Sequence, residues 1–144
     1  MTTNALALDN QLCFAIYSAS HAFTKVYKPL LAELDVTYPQ YLVLLFLWEK
    51  QEARVTDICV ALGLDTGTLS PLLKRLEKTG YIKRERSVAD ERQVVVQLTP
   101  LGQSRRKVAE GILQEIGKAI GCSFEEASVL LGSIKDLKQR LSAA

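Results

Sequence analysis

Three thiols, one imidazole and one dense run of cations are the groups in this chain whose types and spacing could do chemistry. The thiols are Cys13, Cys59 and Cys122. An odd number of cysteines, far apart in sequence, argues against a disulfide framework. It also argues against a zinc site, whose ligands come in close pairs. A cytoplasmic chain with reduced thiols is the simplest reading. His21 is the only histidine. With no cysteine or carboxylate at ligand spacing, it reads as a packed or partly exposed side chain rather than a metal ligand. Neither metal nor cofactor is expected. Cys13 taken alone reads as an inert buried thiol, and Cys59 as filler within a helix.

The cations are more informative. From Lys74 to Arg86 there are six cations against two anions, in a chain whose total charge is only +2. They fall in a stretch, Arg54 to Thr99, that reads as helix, turn, helix and then a basic β-hairpin. Ile58, Ala61 and Leu62 are apolar at helical spacing, with Thr56 as an N-cap candidate and Gly63 as a stop. Asp65 is a second cap candidate. Leu69, Leu72, Leu73 and Leu76 then form one stripe, and Gly80 closes that helix. Pro71 breaks the pattern, and the shared stripe favours a helix starting at Asp65 that tolerates it. The opposite face carries Thr66, Thr68, Ser70, Lys74 and Arg75.

Two strand-like runs follow, Tyr81–Arg86 and Gln93–Leu98, with Val94, Val96 and Leu98 facing inward. At the tip between them, Asp90 is placed to orient the Arg92 guanidinium. A helix with a polar face suits the major groove, and a wing-tip arginine suits the minor groove, while Lys74, Arg75 and Arg86 neutralise phosphates. A solvated basic helix with a surface hairpin is the bland alternative. The order helix, turn, helix, wing favours double-stranded DNA.

The elements that must carry this stretch are helical. At 144 residues and 48% hydrophobic, one domain with a real core is expected. No apolar run approaches the length of a membrane span, and Met1–Asn10 has no signal-peptide character. A first helix is predicted from about Asn10 to Tyr27, followed by a short helix opened by Pro29 and running through Leu34. Val36–Lys50 is a strongly signalled helix, with Thr37 and Gln40 at capping-box spacing and Val36 and Tyr41 at staple spacing. Its run Leu42–Trp48 is apolar nearly all round. Tyr27 and Tyr38 read from composition alone as core aromatics with satisfied hydroxyls.

Thr99-Pro100 opens a long helix, and Ser123 caps a last one, whose Ala127, Leu130 or Leu131, Ile134, Leu137 and Leu141 form a seam for a partner helix. The two terminal seams exceed what one small domain can bury, so a homodimer is expected. The fold expected is mainly α with a small β-wing, a single domain over 1–144. The winged helix-turn-helix spans about 53–99, and dimerisation helices span about 5–36 and 100–142.

Several motifs sharpen this. Asn10–Phe14, Tyr27-Lys28-Pro29-Leu30, Thr37–Tyr41, Leu64–Arg75 and Asp90-Glu91-Arg92 together resemble the MarR family of winged-helix dimeric regulators, and more closely its organic-hydroperoxide-sensing OhrR branch. The resemblance spans nearly the whole chain. It implies that Cys13 is a peroxide-reactive thiol, that Tyr27 and Tyr38 hydrogen-bond it from the other subunit, and that Pro71 is part of the family pattern. It also implies two routes for the oxidised thiol: a small thiol caps it as a mixed disulfide, or Cys122 of the other subunit serves as the resolving cysteine. A sensor thiol must ionise to attack a peroxide, and two phenol hydroxyls can stabilise the thiolate. The function expected is a repressor that leaves an inverted-repeat operator when an organic hydroperoxide oxidises Cys13. A MarR-type regulator controlled by a bound small apolar or phenolic ligand is the alternative. A thiol peroxidase has no need of a basic wing.

Overall fold

The computed structural model describes residues 4–144. After a 3-10 turn at Leu8–Asn10, α1 runs unbroken over Leu12–Leu31. The expected break at Pro29 does not occur: Pro29 lies inside the helix. One backbone bond is lost there, but the end of α1 is anchored by burial of Leu31 and of Leu34 just beyond it, and tertiary packing wins over local propensity. The start is also later than expected. Gln11 is extended and its side-chain amide donates to the Ala5 and Ala7 carbonyls, which stops the helix short of Asn10.

α2 spans Tyr38–Lys50 and is the central helix. The expected capping box forms: Thr37 Oγ1 accepts from the Gln40 N–H, and Gln40 Oε1 accepts from the Thr37 N–H. Val43, Leu44, Leu47, Tyr41 and Trp48 are all buried. The chain then makes a strand that the sequence does not announce, β1 at Glu52–Arg54. Three residues with two charges show no alternation, so only pairing reveals it.

α3 covers Val55–Leu62 and α4 covers Thr66–Thr79. The N-cap of α3 is Arg54 rather than Thr56, because the Asp57 carboxylate accepts the Arg54 N–H. At α4 the Asp65 cap holds as expected, with Oδ1 accepting from the Thr68 N–H at 2.7 Å. Leu69, Leu73 and Leu76 are buried and Pro71 sits within the helix. Gly63 and Gly80 end the two helices in left-handed conformations.

The wing is β2 (Ile82–Arg86) and β3 (Val94–Leu98). The sheet is antiparallel in the order β1-β3-β2, with Arg54 opposite Val95 and Ile82 opposite Leu98. Val96 is fully buried, and Val94 and Leu98 are half-buried.

The long helix expected after Thr99 is two helices, α5 (Pro100–Ser104) and α6 (Arg106–Ile120). The Gly102 carbonyl accepts the buried Trp48 Nε1–H at 3.0 Å, and the Arg105 N–H closes back onto the same oxygen in a tighter turn. The continuous α-helical pattern is lost there. Gly102 is also where the backbone comes closest: a Cβ there would collide with the Tyr81 carbonyl oxygen. α7 covers Phe124–Ala143, with Ser123 Oγ accepting the Glu126 N–H.

The core joins α2 to Ile58, Leu69, Leu73, Leu76, Ile82 and Val96 below it, and to Ala109, Ile112 and Ile116 of α6. No residue of α7 is buried. Its Leu130, Ile134 and Leu141 are exposed, as are Leu12, Ile16 and Phe23 of α1. The two terminal helices thus carry apolar seams that the described residues do not cover. No helix among those residues is long and apolar enough to cross a membrane.

Candidate nucleic-acid interface and thiol site

α4 presents Thr66, Thr68, Ser70, Lys74 and Arg75 on its exposed side, opposite its buried leucines. Thr66 and Ser70 border a groove of about 300 Å³ between the helix-turn-helix and the wing, which Arg92 also lines. Lys74 and Arg75 line a second recess of about 580 Å³ with Lys78. The Thr68 backbone N–H is taken by the Asp65 cap, which holds that carboxyl below its ordinary range.

The wing cations divide into two kinds. Arg92 reaches into solvent with its side chain 92% exposed, and Asp90 Oδ1 accepts from both its Nε and its backbone N–H. Arg86 instead donates to the Glu91 carbonyl at 2.8 Å and ties the wing tip together. Arg84 is paired with Glu77, and Lys83 with Glu85. Part of the positive run is therefore internally neutralised, and among the described residues Lys74, Arg75 and Lys78 face outward without an ion pair. Arg54 and Thr56 line the same groove as Arg92 and were not among the residues the sequence singled out for DNA contact. The signal available was the three-residue spacing of Arg54 and Asp57, which places opposite charges on one helical face.

Cys13 lies in the first turn of α1 and is exposed. Tyr27 lies on the same helix, about 21 Å farther along at 1.5 Å per residue. There its ring sits 4.8 Å from that of Tyr38, the first residue of α2, and 5.8 Å from Tyr41. Burial, reinforced by the neighbouring phenols Tyr38 and Tyr41, pushes Tyr27 up to about 12, and burial also raises Tyr38. Both phenols keep their protons at neutral pH and are donors. Within one protomer, then, the structure joins Tyr27 to Tyr38 but leaves Cys13 at the other end of the helix.

Cys122 is exposed in the joint between α6 and α7, next to the left-handed Gly121. Cys59 is half-buried between α3 and α4, its Sγ 4.0 Å from Thr66 Oγ1. His21 stacks edge-on against Tyr17 at 4.4 Å.

Residues 25–112 match the family described as transcriptional regulator SarA/Rot, a stretch that holds both tyrosines, the helix-turn-helix and the wing. Two curated relatives extend the likeness over almost the whole chain. One is the organic hydroperoxide resistance transcriptional regulator of Bacillus subtilis, 45% identical over 96% of this chain and 87% of its own length. The chain belongs to the MarR/SarA-type family of winged-helix transcriptional regulators. The other relative is the HTH-type transcriptional regulator TtmR of Methylorubrum extorquens, 44% identical over 95% of this chain and 70% of its own. Among solved structures, reduced AbfR bound to DNA, from Staphylococcus epidermidis, superposes with a TM-score of 0.83. It is 37% identical and covers 99% of this chain and 98% of that one.

Proposed function

We propose that this chain is a thiol-switched DNA-binding repressor. It is a homodimer that holds an inverted-repeat operator while Cys13 is reduced and releases it once an organic hydroperoxide oxidises that thiol. The observation that carries the reading is the separation of Cys13 from the Tyr27–Tyr38 pair along one helix. Two donors with firmly held protons suit a thiolate, and they meet one only when a second protomer brings its own Cys13 alongside. The uncovered seams of α1 and α7 supply the surface for that pairing. They flank a groove of about 630 Å³, lined by Leu12, Ile16, Phe23, Tyr38, Leu130 and Ile134, that the partner's helices fill. The Bacillus relative's name supports an organic hydroperoxide as the signal, and the DNA-bound reduced AbfR supports DNA binding in the reduced state.

The chemistry balances within the protein and its oxidant. The Cys13 thiolate attacks a peroxide oxygen, the O–O bond breaks, and the alcohol leaves with a proton. Cys13 becomes a sulfenic acid. The Cys122 thiolate of the other protomer then attacks the Cys13 sulfur, forming a disulfide and releasing water. A disulfide needs Cα atoms within about 7 Å; where the reduced thiols lie farther apart than that, closing it moves the helices and with them the two recognition helices. Thr66, Thr68, Ser70, Lys74 and Arg75 meet the major groove or its phosphates. Arg92, oriented by Asp90, reaches the minor groove, and Arg86 holds the wing tip in shape. The protein acts as a regulator rather than a catalyst, in the cytoplasm.

Selecting duplexes from a random pool with the reduced protein tests this. The expected product is an inverted repeat with half-site centres about 34–36 Å apart, which an alkyl hydroperoxide then strips of protein. Oxidation should give a covalent dimer on non-reducing gels that is lost in both Cys13→Ser and Cys122→Ser. An asymmetric selected site, or binding indifferent to oxidant, would contradict the proposal.

A further inference from the structure

The groove between the helix-turn-helix and the wing is bordered by three arginines, Arg54, Arg84 and Arg92. Each is held by its own carboxylate: Arg54 by Asp57, Arg84 by Glu77 and Arg92 by Asp90. Arg54 is the best fixed of the three. Its Nε and Nη2 donate to the two Asp57 oxygens at 3.0 and 2.9 Å, and Nη1 lies 3.5 Å from Gln93 Oε1 on the wing. A guanidinium has five N–H donors. A two-pronged carboxylate bond uses two of them, and the Gln93 contact is at the long limit, so the outer edge retains free donors. The pair tightens both partners, raising Arg54 and lowering Asp57, so neither charge is lost at neutral pH.

Three hydroxyls, on Thr56, Thr66 and Ser70, line the same groove. A fixed, half-exposed arginine edge beside several hydroxyls is what a phosphodiester oxygen requires. Aspartate here does for arginine what a packed neighbour does elsewhere: it removes the rotamer freedom that binding would otherwise have to freeze.

We propose that this groove seats a DNA backbone phosphate, with Arg54 as its cationic contact, Asp57 as the residue that positions Arg54, and Thr56 and Thr66 as flanking donors. The contact lies between the recognition helix and the wing. It fixes the angle at which α4 enters the groove while Arg92 reads beyond it. This inference rests on the DNA-binding half of the proposed function.

Binding of the full-length reduced protein to a labelled random-sequence duplex of about 30 base pairs, followed as salt is raised, tests it. Each lost phosphate contact lowers the slope of log affinity against log salt by about 0.9, so Arg54→Ala in a dimer should lower it by about 1.8. The fall in affinity between about 50 and 200 mM salt should then be about 12-fold smaller than for wild type. Arg54→Lys should keep the wild-type slope. Because Arg54→Ala also leaves Asp57 unpaired beside the DNA, the double variant Arg54→Ala/Asp57→Asn removes that repulsion. Its slope should stay reduced. A wild-type slope in the double variant, or in Arg54→Ala with its thermal melt unchanged, would overturn the phosphate seat while leaving the repressor reading intact. A wild-type protein that binds no duplex at all would overturn both.

Discussion

Tyr27 and Tyr38 hold their rings 4.8 Å apart where α1 ends and α2 begins, with Cys13 about 21 Å away at the other end of α1. One protomer therefore owns a thiol and a donor pair that it cannot bring together. This arrangement makes a complementation experiment decisive. Cys13→Ser homodimers and Tyr27→Phe/Tyr38→Phe homodimers should both react slowly with hydroperoxide. Mixing them and exchanging subunits should restore wild-type reactivity to the one Cys13 that faces intact tyrosines. The fast phase should reach the amplitude expected for one site per heterodimer. If mixing restores nothing, the tyrosines serve their own chain and not its partner.

The phenols also set a pH dependence. Tyr27 titrates near 12 in the folded protein against an ordinary value of about 10. A raised value means the folded state holds the proton more tightly. Its contribution to stability is whole below pH about 10 and is lost as pH climbs towards 12. A spectrophotometric titration of phenolate should show a late step near pH 12 that Tyr27→Phe removes, together with a shallower decline in thermal stability above pH 10. A Tyr27→Phe profile identical to wild type would place the late step elsewhere.

On the DNA side, Arg92 is nearly free in solvent and is aimed only by Asp90. Arg92→Ala should weaken operator binding substantially. Asp90→Ala should reproduce part of that loss by freeing the guanidinium, even though it makes the wing more positive. Fluorescence anisotropy against the selected operator reads both. An Arg92→Ala protein that binds as tightly as wild type would remove the wing from the interface.

Gly102 links the core to the wing. Its carbonyl holds Trp48, and its α-carbon leaves no room for a side chain beneath Tyr81. Gly102→Ala should destabilise the fold by about 1–3 kcal/mol, the usual cost of overpacking. Because Trp48 is the only tryptophan, its emission should shift in the native state as well. A melt and a spectrum matching wild type would show that the backbone yields more easily than this packing implies.

Much of the fold is legible in the sequence because local signals and packing agree there. Thr37 with Gln40, Asp65 before Thr68, Ser123 before Glu126, and Gly63 and Gly80 all mark helix ends as the structure has them. The departures come where long-range contacts override local chemistry. Pro29 fails to break α1 because Leu31 and Leu34 are buried. Gly102 divides the following helix because Trp48, far away in sequence, claims its carbonyl. β1 exists only because β3 pairs with it. The residues proposed for DNA contact on α4 and at the wing tip could be named from pattern and resemblance. For Arg54 the spacing to Asp57 signals an ion pair but not a place in the interface, since only the folded groove brings it beside Thr66 and Arg92. The proposed sensor thiol is the opposite case: its role is implied by the resemblance, but one chain shows only half of the geometry it needs.

The most direct test of the thiol switch is a titration of operator DNA with wild type and Cys13→Ser, each with and without one equivalent of alkyl hydroperoxide. Reduced wild type and Cys13→Ser should bind alike. The hydroperoxide should abolish wild-type binding, a reductant should restore it, and Cys13→Ser should stay bound throughout. Release of the Cys13→Ser protein by the same oxidant, or retention of the oxidised wild type, would contradict the account.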